Sequence, residues 1–152
     1  MGTYTRLEMN TSLKESTPVE VVNILKHLID GKGSQEPPHP QHKFFSCNRY
    51  KLIALGDSEY VMQDGKLHFR IHSNFKAYDN EITQFIDFIT EYVDAEKGEI
   101  IGQYSSEDDI EETLIFKHMR PGDDQYKLNI VSVKLKSLRD EIDSVLLEIQ
   151  GG

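Results

Sequence analysis

The chain has 152 residues, 38% of them apolar and 28% charged, a size and balance that suit one domain, or two small ones, with a core needing no metal or disulfide. Seventeen basic residues against 26 acidic ones leave a formal charge of −9, which repels phosphate backbones, so direct binding of nucleic acid is not expected. No apolar run approaches the length of a membrane span, so no membrane partner is expected either.

The opening "MGTYTRLEMN" has no apolar core of the signal-peptide kind. Gly2 follows Met1, but Arg6 stands where a myristoylation signal needs Ser or Thr, and a cytoplasmic location is the expectation. A first strand is predicted over 3–14, where Tyr4, Arg6, Glu8 and Asn10 alternate with Thr5, Leu7 and Met9. A helix follows over 18–30. Thr17 suits its N-cap, Pro18 its first position, and Glu20 a Thr-x-x-Glu capping box. Val21, Ile24, Leu25, Leu28 and Ile29 make its apolar stripe, and Gly31 its stop.

Residues 32–43 hold three prolines and no periodicity, and predict a long mobile loop. Phe44 and Phe45 are expected to anchor it to the core, and 52–55 to form a short strand or a helical turn. "EYVMQDGKLHFRIHS" predicts a hairpin around Asp64-Gly65, with Leu67, Phe69 and Ile71 on one face and His68, Arg70 and His72 on the other. A second helix is predicted over 80–95. Asp79 is its expected N-cap, and Ile82, Phe85, Ile86, Ile89, Tyr92 and Val93 its apolar face. Glu81, Gln84, Asp87, Glu91 and Asp94 are assigned to the solvated side.

Three further strands are predicted, in "EIIGQYSS", "TLIFKHM" and "YKLNIVSVKL", separated by the turns "EDDIEE" and "RPGDDQ". A C-terminal helix over 136–150 closes the chain. Leu135, Leu138, Ile142, Val145 and Ile149 are spaced as in a heptad seam, but too few heptads are present for a sustained coiled coil. Packing of this helix on an edge or the free face of the sheet is expected instead, with a monomer or weak homodimer as the state of the chain. The whole predicts an α+β domain over 1–152. Its core is a ferredoxin-like βαββαβ antiparallel sheet with helices on one face, extended by two C-terminal strands and a C-terminal helix.

"SNFKAYDNEITQFIDFI" and "GQYSSEDDIEETLIF", with the "TPVEVVNILKHLIDG" helix and a His-Pro loop leading to "FF", resemble a group of small bacterial and phage-associated α+β proteins without an assigned function. The resemblance covers about residues 3–117. It implies the order of elements and supplies no catalytic residues.

No phosphate-cradling glycine loop, nucleophile elbow or Cys-x-x-Cys pair occurs. His39, His42 and Cys47 form the one cluster of metal-ligand type, with zinc as the fitting ion, but their spacing matches no standard site and solvated loop histidines are the ordinary reading. Cys47 is the only cysteine, which excludes an internal disulfide; as a nucleophile it would need a base and a lowered pKa. His68, Arg70 and His72 share one side of a strand, a possible stripe for an anion or a partner, or else the plain exposed face of a one-sided sheet. Glu107, Asp108 and Asp109 open the acidic run, which lacks the glycine of a calcium loop and reads ordinarily as a solvated turn.

These absences favour a non-enzymatic protein-interaction module engaging a basic partner, with no cofactor. Two other classes compete with it: a small-molecule binder or enzyme on the open sheet face, and an acidic DNA-mimicking inhibitor.

Overall fold

A computed structural model describes residues 3–31 and 35–151. The chain divides into two units, residues 1–118 and 119–152.

The first unit is an α+β domain with a five-stranded antiparallel sheet. Its strands are β1 (Thr3–Ser12), β2 (Glu59–Gln63), β3 (Lys66–Ala77), β4 (Ile100–Ser106) and β5 (Thr113–Phe116), arranged in the order β2-β3-β1-β4-β5. Two helices cross over it, α1 (Val19–Asp30) and α2 (Glu81–Ile89). Single 3-10 turns lie at Lys43–Ser46, Tyr50–Leu52 and Thr90–Tyr92. The order departs from that of a bare βαββαβ unit, because β5 lies outside β4.

Side-chain alternation sets the two sheet faces. Leu7 and Met9 on β1, Leu67, Phe69 and Ile71 on β3, and Ile101 on β4 point to one side and are buried. Val21, Ile24, Leu25 and Leu28 of α1 meet them in the same core, as do Ile82, Phe85, Phe88 and Ile89 of α2. Both helices therefore cover one face, and the other face of β3 and β1 stays open. The β2–β3 hairpin turns through Asp64 (φ 55°) and Gly65 (φ 76°), the positive dihedrals expected of a two-residue Asp-Gly turn.

Three local expectations need correction. The capping box at α1 does not form: the helix is entered from Pro18, in extended conformation, without a side-chain cap. Thr17 lies one residue too early and its hydroxyl donates to the Lys14 carbonyl at 2.6 Å. Asp79 does not cap α2 either. Asn80 takes that position in the left-handed region (φ 59°), and Glu81, assigned above to the solvated side, is fully buried. Its carboxylate accepts from the backbone N–H of Tyr78 at 3.0 Å and of Asp79 at 2.8 Å. Of the two alternatives for 52–55 the helical turn forms: the 3-10 turn ends at Leu52, and the Leu55 N–H donates to the Leu52 carbonyl at 3.0 Å. Lastly, the strand expected over 126–135 is absent. Those residues belong to α3 (Asp124–Gly151), a 28-residue helix in the second unit, so the sheet gains one C-terminal strand and not two.

Of the proline-rich segment, residues 32–34 lie outside the described residues. The rest is fastened: His39 stacks on Phe45 with ring centroids 4.2 Å apart, and the Tyr50 hydroxyl donates to Glu36 at 2.6 Å. That bond, ahead of Lys51 and the two histidines His39 and His27, holds the Glu36 carboxyl below its ordinary value, while burial and Glu36 push Tyr50 up to about 12. A depressed carboxylate stabilises the fold above its unfolded value, here 4.5, and the contribution is lost as pH falls through the lowered folded value. Tyr50→Phe is therefore expected to melt below the wild type at neutral pH, with the gap closing as pH falls below 4.5 and through the lowered folded value. Thermal denaturation followed by circular dichroism across that range checks it; a gap that stays constant would show that the bond is not charge-assisted.

Candidate functional site

The open face of the sheet carries a shallow groove of about 400 Å³. Its lining comes from three adjacent strands: Glu8, Met9 and Asn10 of β1, Arg70, Ile71 and His72 of β3, and Ile100, Ile101, Gly102 and Gln103 of β4. Strand register explains the grouping, because Glu8 lies opposite both His72 and Gln103, and Asn10 opposite Arg70. Gly102 faces the other way. A Cβ there would meet the Glu8 carbonyl oxygen at 2.5 Å and Met9 Cγ at 2.7 Å, so β4 approaches β1 this closely only with glycine at the irregularity between Ile100 and Gly102.

Glu8 is the centre of the polar contacts. Gln103 Nε2 donates to one of its oxygens at 2.8 Å, and His72 Nε2 lies 3.3 Å from the other. Arg70 is occupied too. Its two terminal nitrogens donate to the Asp57 carboxylate at 3.1 and 3.2 Å, and Nε donates to Glu59 at 3.3 Å. The guanidinium holds the Asp57 carboxyl below its ordinary value, first through this hydrogen bond and then through its charge. Glu59 stands directly opposite Arg70 in the β2–β3 pairing. Two carboxylates thus hold this one permanent cation, and a third, Glu8, lines the same groove. Such a surface repels free anions and accepts a cationic or hydrogen-bonding group.

The structure brings Arg70 and His72 into the groove but not His68, which sits further along β3 opposite Val61 and Ser12. Glu107, Asp108 and Asp109 belong to a separate place, the exposed β4–β5 turn. Asp109 organises that turn: its carboxylate accepts from the Ser106 N–H at 2.7 Å, and its own N–H donates to the Ser106 carbonyl at 2.9 Å. Ile110 follows at the tip and is fully exposed.

His39, His42 and Cys47 are not assembled. Among the described residues no group of three or more His, Cys, Asp or Glu side chains could hold a metal ion. Both ring nitrogens of His42 are engaged, Nδ1 accepting from the Phe44 N–H and Nε2 paired with Asp87 at 3.0 Å, which fixes the neutral ring in its Nε2–H form. The Cys47 thiol donates to the Asp79 carbonyl at 3.4 Å. Burial, then the charges of Glu81 and Asp79, push it above its ordinary value, the reverse of what a nucleophile needs.

Sequence reasoning missed the acids that hold Arg70 and the two buried charged residues. Besides Glu81 there is Lys117, whose ammonium donates to the Val93 carbonyl at 2.6 Å and whose pKa is lowered by burial first and by Lys14 next.

Fold and groove together define a small α+β protein with a one-sided antiparallel sheet. No protein-family model matches the chain, and comparison with curated proteins and with solved structures gives no match. Among the described residues no helix is long and apolar enough to cross a membrane.

Proposed function

We propose that this protein is a non-enzymatic interaction module that engages a basic protein partner through the β4–β5 turn. One observation carries the reading. Ile110, at 101% relative accessibility, is preceded in the turn by Glu107, Asp108 and Asp109 and followed by Glu111 and Glu112, all exposed. An exposed apolar tip within an acidic turn matches a basic surface with an apolar contact at its centre, since complementary charge steers the encounter and the buried side chain holds it. The Asp109–Ser106 bonds order the turn beforehand, which lowers the entropy lost on binding. A cytoplasmic location, an association with phage or mobile elements, and a ferredoxin-like relationship of the β1–β4 core belong to the same reading. They are supported by the lone cysteine, by the resemblance described above and by the chain order β1-α1-β2-β3-α2-β4.

The test is capture from a lysate of the native host, comparing wild type with Glu107→Lys/Asp108→Lys/Ile110→Ser. The variant is expected to retain about a tenth or less of the captured basic protein, and wild-type capture to fall as salt rises. Equal capture by both proteins would contradict the proposal.

A second reading, a small-molecule site or enzyme in the sheet-face groove, is favoured by the Glu8–His72 pair and its Gln103 contact. His68→Ala/Arg70→Ala/His72→Ala, folded and with every ligand-induced melting shift unchanged, would remove it.

A further inference from the structure

We propose that two copies of this chain associate through α3, packed antiparallel in one defined register. In the structure the heptad pattern begins well before the point where the sequence suggests a helix, because 126–135 is helical. Leu128, Leu135, Ile142 and Ile149 recur every seventh residue, and Val131, Leu138 and Val145 fall between them at the 3–4 spacing of a coiled-coil seam. All seven are more than half exposed. From Leu128 to Ile149 this seam runs about 33 Å at 1.5 Å per residue, just over three heptads, which is the length at which such repeats hold a partner. A helix of this kind draws most of its stability from burying such a face.

The charges beside the seam choose the occupant and its direction. With Leu128 as position a, the four g positions are Lys127, Lys134, Glu141 and Glu148, basic in the first half of the helix and acidic in the second. In a parallel pair, g meets e of the next heptad on the partner, which sets Lys134 against Arg139 and gives the other g residues no opposite charge. An antiparallel pair sets g against g. When Leu135 of one copy packs on Leu138 of the other, Lys127 faces Glu148 and Lys134 faces Glu141, twice each by symmetry. Six a-on-d layers form in that register, with Val131 on Ile142 and Leu128 on Val145 as the others. Sliding by one heptad in either direction sets Lys134 on Lys134 or Glu141 on Glu141. Only a second copy of the same helix makes the pattern self-complementary, and valine at two of the d positions is not what a parallel dimer selects.

Sedimentation velocity on the full chain, from low to high micromolar concentration, tests the proposal with two charge variants. Wild type is expected to shift from monomer to dimer. Lys134→Glu turns two attractive contacts into repulsions and is expected to raise the dissociation constant on the order of tenfold, while Lys134→Glu/Glu141→Lys restores it. Circular dichroism confirms that the helix persists in each variant. A wild type that stays monomeric throughout overturns the proposal. A Lys134→Glu dimer tighter than wild type overturns the antiparallel register, because in a parallel pair that change creates an attraction to Arg139.

Discussion

Phe44→Ala is expected to lower the unfolding free energy of the first unit by about 3–5 kcal/mol, the cost typical of truncating a fully buried aromatic. Phe44 has no exposed surface, and its ring lies 5.0 Å from Phe45, 5.2 Å from Phe85, 5.8 Å from Tyr50 and 6.0 Å from Phe88, centroid to centroid. It therefore joins the segment after the proline-rich loop to α2. Removing it leaves a cavity between rigid rings that have little freedom to close, and small domains have only about 5–15 kcal/mol in total. Urea unfolding monitored by circular dichroism measures the effect. A loss below about 1 kcal/mol would show that the aromatic cluster is not part of the cooperative core.

Glu81→Ala is expected to cost about 2–4 kcal/mol, for a different reason. The carboxylate is buried and takes the N–H groups of Tyr78 and Asp79, which alanine would leave without an acceptor at the strained entry to α2. Asp79→Ala is the control. Asp79 accepts from the exposed Asn48 N–H at 2.8 Å and does not cap the helix, so its removal should cost about 1 kcal/mol or less. Paired urea titrations separate the two. If Asp79→Ala were the more damaging, the entry to α2 would be capped as its sequence first suggests.

That contrast shows where the sequence is legible. The Asp64-Gly65 turn fixes the register of β2 and β3, so the inward Leu67, Phe69 and Ile71 and the outward His68, Arg70 and His72 follow by counting. The same count from the turn places Glu59 opposite Arg70. The α1 stripe and its Gly31 stop are equally local. Glu81 is not, because Asp79, Asn80 and Glu81 all have capping chemistry and only the left-handed backbone at Asn80 decides among them. The segment 126–135 misleads because its valines and isoleucine suit a strand, and the 3–4 spacing becomes decisive only when Leu128 and Val131 are counted with the residues after them. His42 with Asp87, 45 residues apart, and Phe88 against the loop aromatics depend on tertiary placement that no local pattern encodes.

The open groove and the acidic turn are separate places on the first unit, and partner binding is proposed for the turn. Photo-crosslinking in the native host's lysate, from a reactive group placed at position 110 or at position 103, compares them directly. A discrete adduct with a basic protein is expected from position 110, abolished by Glu107→Lys/Asp108→Lys, and none from position 103. A protein adduct from position 103 alone would contradict it and move the site to the sheet face.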